Sequence, residues 1–198
     1  MQAAHQREDW AVGFQDEVWW SRLTQPNAHS WTDTTPLRLA EQVHQKDDPD
    51  PKALACYGLD LRWQDQEEVW LRFVEGNPKS DPTIQFMEWV LKKTSEQGVC
   101  VLVMFWDHAS WHTSKMVRRW LHKHNQEVKR AGKGTRLLAC LLPKKSPWLN
   151  PIEPRWVHAK RKVTEPDKQI TAQEIAERVC AVFNQPILSW ITNNKNVS

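Results

Sequence analysis

Residues 99–106 (VCVLVMFW) are apolar without a break and end against Asp107. The run is far too short to span a bilayer, which takes about 18–20 apolar residues. It also lacks the alternation of a strand with one wet face. It therefore reads as a strand covered on both sides, as when helices pack on either face of a sheet. This segment commits the chain to an α/β architecture. It also leaves a carboxylate at the carboxyl end of a buried strand, where open α/β sheets gather their ligands.

The flanking pattern supplies the other elements. Residues 12–20 alternate, with Val12, Phe14, Asp16, Val18 and Trp20 on one face and Gly13, Gln15, Glu17 and Trp19 on the other. Residues 53–59 and 69–74 predict two more strands, joined by a polar turn around 64–66. Asp81 and Pro82 are placed as cap and first residue of a helix with Phe86, Met87, Val90 and Leu91 inside and Gly98 as its stop. Thr113 is the expected cap of a second helix, which buries Met116, Val117, Trp120 and Leu121 and shows Lys115, Arg118, Arg119 and Lys123 elsewhere on its surface. Residues 137–142 predict a fifth strand, stopped by Pro143. Asn150, Pro151 and Glu153 have the spacing of a helix start, and Thr171 with Glu174 forms a capping box for a last helix. The predicted order is β-β-β-α-β-α-β-α. It forms one domain over residues 10–198, with a polar stub at 1–9 and an irregular connection at 21–52.

Composition narrows the function classes. No apolar run reaches membrane-spanning length and the amino terminus is polar, so neither a membrane partner nor a signal peptide is expected. Cys56, Cys100, Cys140 and Cys180 lie forty or more residues apart, which fits no zinc motif; buried, reduced thiols of a cytosolic protein are expected. The net charge of +3 hides an asymmetry. Residues 1–100 hold 10 Lys/Arg against 17 Asp/Glu, and residues 101–198 hold 17 against 7. A basic half points to a polyanionic partner, or simply to a solvated face.

Three carboxylates stand out from this scaffold. Asp16 interrupts an apolar strand face, Asp107 ends the buried strand, and Glu153 opens a helix, where its charge also suits the helix dipole. Each has an ordinary reading: an arginine partner, a turn, a capping box. Together they predict three carboxylates meeting at one sheet edge, an all-oxygen site suited to magnesium or manganese rather than zinc. His108 and His112, four apart, could alternatively form a zinc pair, but no third nitrogen or sulfur ligand has suitable spacing.

The segments FQDEVWW (14–20), VLVMFWDHASWHTSK (101–115) and LLPKKSPWLNPIEPRW (141–156) resemble the three signature blocks of DDE-type transposases, nearest to the bacterial insertion-sequence relatives (IS-six-thirty type) of the Tc/mariner superfamily. The resemblance runs from about residue 10 to 163. It implies a ribonuclease-H-like fold, a mixed five-stranded sheet flanked by helices, with Asp16 (not Glu17), Asp107 and Glu153 as the catalytic, metal-holding triad. It further implies Mg2+, with Mn2+ as a substitute, and cleavage of element ends followed by joining of 3′-ends to target DNA. His108 stands where the family usually has Asn, which is expected to tune the site. His112 matches a histidine common in that block and either orients the site or makes a structural hydrogen bond; Asn150 is a further supporting candidate.

Lys144, Lys145, Arg155, Lys160, Arg161 and Lys162 flank Glu153 in sequence and could neutralise phosphates. Trp148 either stacks on a base or packs under its loop. The resemblance implies double-stranded DNA as partner, a homodimer, and a bacterial cytoplasmic, nucleoid-associated location. Such transposases usually carry helix-turn-helix recognition modules upstream, and none precedes residue 10 here, so an upstream-frame module is an expected partner. A stand-alone nuclease, and a truncated, non-catalytic DNA-binding remnant or regulator of a full-length transposase, are the alternatives.

Overall fold

The computed structural model describes residues 7–23, 44–163 and 170–193. Five strands form one sheet: β1 (Trp10–Ser21), β2 (Ala53–Trp63), β3 (Gln66–Val74), β4 (Val101–Trp106) and β5 (Arg136–Leu141), in the spatial order β3-β2-β1-β4-β5. β1, β2 and β3 are antiparallel neighbours, whereas β1, β4 and β5 run parallel. Helices α1 (Ser80–Glu96), α2 (Lys115–Ala131), α3 (Glu153–Val163) and α4 (Ala172–Val182) complete the order. The mixed five-stranded α/β sheet is as expected, but β4 alternates buried Leu102, Met104 and Trp106 with half-buried Val101, Val103 and Phe105, so its unbroken apolar run is fully covered on one face only.

Two cores lie on opposite faces of the sheet. One, with α1 against it, contains Tyr57, Leu59, Trp70, Phe86, Leu102 and Met104. The other, under α3 and α4, contains Val18, Trp20, Leu71, Ile152, Trp156 and Ile175. Burying side chains of this size stabilises the fold by about 1.5–3 kcal/mol each. β1 runs between the two cores with the alternation expected of it: Val18 and Trp20 enter the α3/α4 core, and Ala11 enters the other.

Several local expectations are corrected. The β2–β3 ladder extends to the pair Trp63–Gln66, so the turn is only Gln64-Asp65, both left-handed (φ 48° and 60°). Two such residues make a tight hairpin whose twist matches the strands. Helix α1 starts at Ser80 after Lys79, which makes no side-chain cap, instead of being capped by Asp81. Its end follows the expectation: Gly98 (φ 86°) lets the Gly98 and Val99 amides bond back to Ser95 and Thr94. Ser114, not Thr113, caps α2 by accepting from the Val117 amide, and Met116 is exposed rather than core. Thr171 caps α4 through the Glu174 amide as expected.

All four cysteines are free, but only Cys56 and Cys180 are buried, and Cys100 is exposed. Residues 24–43, most of the irregular connection, lie outside the described residues, as do 1–6 of the amino-terminal stub. The end of the connection is held by Arg22, whose buried guanidinium donates to Pro51 O (2.6 Å), Asp50 O (2.9 Å), Ile170 O (2.8 Å) and Asp48 Oδ2 (2.6 Å). No helix among the described residues is long and apolar enough to cross a membrane.

Candidate active site

The parallel ladder between β1 and β4 ends at the pair Phe14–Phe105, two residues short of Asp16 on one strand and of Asp107 on the other. Asp16, still paired with β2, and Asp107, just past the end of β4, therefore stand at the same level. Glu153, the first residue of α3, is brought to the same place by the chain that follows β5.

Asp16 sits on the α3/α4 face, where Trp156 Nε1 donates to its Oδ2 (2.8 Å). Trp156 reaches it because the residue opposite Asp16 on β2 is Gly58. A Cβ at that position would collide with the indole ring. Burial, and then the charge of Glu153, push the Asp16 carboxyl up to about 7 despite the Trp156 hydrogen bond. Asp16 and Glu153 thus share one electrostatic environment, in which two negative charges disfavour one another.

Asp107 is more open, with 57% of its side chain exposed. Its Oδ1 accepts from the Ala109 amide (2.8 Å) and from His112 Nδ1 (2.9 Å), while Oδ2 is unengaged among the described residues. The His112 hydrogen bond is the leading cause that holds the Asp107 carboxyl below its ordinary range.

His112 has a fully buried side chain, and its Nε2 bonds Glu17 Oε1 (2.9 Å). With a carboxylate at each ring nitrogen the imidazole carries both protons. Burial would push its pKa down, but the bonds to Asp107 and Glu17 win and raise it to about 9. The ring also stacks on Trp106 (4.9 Å, 6°). The same Glu17 oxygen accepts from Gln15 Nε2 (3.0 Å) and Trp111 Nε1 (3.2 Å). Glu17 thus braces the far side of the sheet.

Sequence reasoning missed that role of Glu17, and missed Trp111 and Trp156. The signal available was the strand alternation, since a carboxylate on the buried face beside Gln15 must have donors. Their positions, 94 and 95 residues away in Trp111 and His112, are not readable from spacing. The zinc pair is contradicted by the same geometry, because both His112 nitrogens are taken and His108 is exposed.

Asn150 does not cap α3 with its side chain. Its Nδ2 donates to Gln15 O (3.3 Å), tying the loop to β1 beside Asp16, and its buried Oδ1 has no partner among the described residues. Trp148 is 75% exposed, so the alternative of packing under its loop is not what forms. Lys144, Lys145, Lys160, Arg161 and Lys162 are exposed. Arg155 is half-buried and pairs with buried Asp60 (3.6 Å) and with Glu67.

Among the described residues, no three His, Cys, Asp or Glu side chains stand close enough together to hold a metal ion as they are arranged. The donors nevertheless fit a hard divalent ion in kind. All are oxygens, Asp16 and Glu153 repel one another as a cation would relieve, and Asp107 keeps an unengaged oxygen.

The mixed sheet sets Asp107 just past the end of a parallel strand, and residues 61–175 match the model of the DDE superfamily endonuclease family. The chain belongs to that family; the match includes Asp107 and Glu153 and begins after Asp16. Its fold is the ribonuclease-H-like fold of transposase catalytic domains. The Mos1 transposase paired-end complex with left transposon end superposes with a TM-score of 0.58 at 13% identity, over 91% of this chain and 49% of that one. The Mos1 mariner paired-end complex with Mn gives 0.58 at 12% identity, over 89% and 48%. The Mos1 strand transfer complex gives 0.56 at 10% identity, over 94% and 51%. The chain spans about half the length of these structures. No curated protein matches the sequence.

Proposed function

We propose that this chain is the catalytic domain of a DDE transposase of the insertion-sequence (IS-six-thirty type) branch of the Tc/mariner superfamily. It cleaves DNA strands and transfers the 3′-ends during transposition. The observation that carries the reading is the coupling of Asp16 to Glu153, level with Asp107 at the end of the parallel strands. Structural ion networks also perturb carboxylates, but here the perturbed group has a second acid and no cation facing it among its causes.

In this reading Asp16, Asp107 and Glu153 hold Mg2+, or Mn2+ in its place. When bound, the ions supply Lewis acidity to the attacked phosphate and ease deprotonation of the attacking hydroxyl. The protein's own residues keep the three acids in position. Trp156 fixes Asp16, His112 fixes Asp107, and the helix start fixes Glu153. Saturation of the inward Glu17 oxygen by three donors supports Asp16 as the ligand of that pair. In this reading the exposed Lys144, Lys145, Lys160, Arg161 and Lys162 meet the phosphates of a duplex, and the exposed Trp148 ring contacts a base. The similarity to a Mos1 transposase complex with a left transposon end supports element-end DNA as a partner, and target DNA is the second substrate of this reading. A homodimer completes the reading.

Incubating the protein with Mn2+ and end-labelled element DNA plus a target plasmid tests it. Joined products establish strand transfer. Cutting without joining replaces the reading with a stand-alone nuclease, and binding without cutting replaces it with a regulator.

A further inference from the structure

Helix α2 has two sharply different sides. Its inner side is fixed to the sheet: Val117 is buried, Trp120 and Leu121 pack on the core, and His124 Nε2 bonds Thr135 O (2.9 Å). Asn125 grips β5 twice, donating to Leu137 O (2.8 Å) and accepting from the Leu137 amide (2.9 Å). These bonds close part of the free sheet edge and set the rotation of the helix about its axis.

That rotation presents the opposite side to solvent. It carries Lys115, Arg118, Arg119, Lys123, Lys129 and Arg130, all exposed. At 3.6 residues per turn they fall within an arc of roughly 140°, over a length of about 22 Å. The one acid of the helix, Glu127, lies beyond the edge of that arc and meets only Lys123 (3.8 Å). A merely solvated helix face mixes signs, as α4 does, where Arg178 pairs with Glu174 (2.8 Å). A protein-binding face is built around aromatic anchors and is depleted in lysine, and this arc holds no Trp, Tyr or Phe.

We propose that the solvent face of α2 is a track for the phosphate backbone of duplex DNA, separate from the basic loop and helix flanking Glu153. The inference rests on the reading of this chain as a DNA-processing enzyme and extends it. The helix begins three residues after His112, the brace of Asp107. A duplex lying along α2 therefore passes from the candidate site outward, in contact over about two-thirds of a helical turn of DNA. The contacts are to phosphates, so they position the duplex without reading its sequence.

The test is fluorescence anisotropy with a random-sequence duplex between about 50 and 200 mM salt. It compares the wild-type chain with the triple variant Arg118→Gln/Arg119→Gln/Lys123→Gln. Each lost phosphate contact lowers the slope of log K against log salt by about 0.9, so the triple variant should lose about 2.7. The double variant Lys129→Gln/Arg130→Gln, on a different turn, should lose about 1.8. Wild-type binding with an unchanged slope in both variants overturns the track and leaves the enzyme reading standing. A wild-type chain that binds no duplex overturns both. Loss of self-association in sedimentation, with the DNA slope unchanged, overturns the track in favour of a second copy of the chain.

Discussion

Replacing Asp16 by asparagine should stabilise the metal-free protein at pH 8 while leaving its stability near pH 4 almost unchanged. The Asp16 carboxyl is held up at about 7 against an ordinary 3.8, by burial and then by Glu153. Between about pH 4 and pH 7 the folded protein keeps a proton that the unfolded chain has released, so stability falls as pH rises through that window. Three units at about 1.4 kcal/mol each set an upper bound of about 4 kcal/mol. Partial solvent access and an effective dielectric well above that of dry protein bring the expected gain to about 1–2 kcal/mol. Asparagine carries no charge at any pH, and its carbonyl oxygen can still accept from Trp156. Urea denaturation of both proteins in the presence of a chelator, at pH 4.5 and pH 8, measures the difference. The reasoning is refuted if the two proteins lose stability in parallel as pH rises. Adding Mn2+ at pH 8 should raise the midpoint of the wild type more than that of Asp16→Asn, because the ion relieves the same repulsion.

Gly58→Ala should destabilise the fold by about 1–3 kcal/mol through overpacking against Trp156. It should also displace the indole donor from Asp16, which appears as a shifted Trp156 indole resonance in the folded fraction. His112→Gln should cost stability at pH 6, on the order of 2 kcal/mol after allowing for the exposure of Asp107. The raised imidazole contributes fully below its ordinary pKa of 6.5 and loses that contribution as pH rises through about 9. Paired denaturation curves at pH 6 and pH 10 should therefore converge at the higher pH.

How legible each part was in the sequence follows from the range of the interactions involved. The face of β1 that carries Asp16 could be read directly, because strand alternation is local and Val18 and Trp20 mark the buried side. The placement of Asp107 followed from the unbroken apolar run before it. The brace behind Asp107 was hidden, since Glu17 meets His112 and Trp111 only after β1 and β4 pair. The second half of β2 was also hidden. Asp60 looks like the end of a strand, yet it lies in the ladder opposite Phe14, its burial offset by Arg62 (3.1 Å) and Arg155 (3.6 Å). Helix starts slipped by one or two residues: Thr113 and Ser114 are both plausible caps by type, and α1 begins after Lys79, whose side chain caps nothing. Trp148 gave no local signal that its ring would remain in solvent.

Whether Asp16, Asp107 and Glu153 form one metal-dependent DNA-cleaving centre is decided by nicking of supercoiled plasmid with Mn2+, comparing wild type with Asp16→Asn, Asp107→Ala and Glu153→Gln, each verified as folded. A shared centre gives metal-dependent nicking that each single substitution reduces by at least about a hundredfold, an effect of about 2.7 kcal/mol on the barrier. Nicking that persists in any one of the three, or that needs no metal, would contradict it.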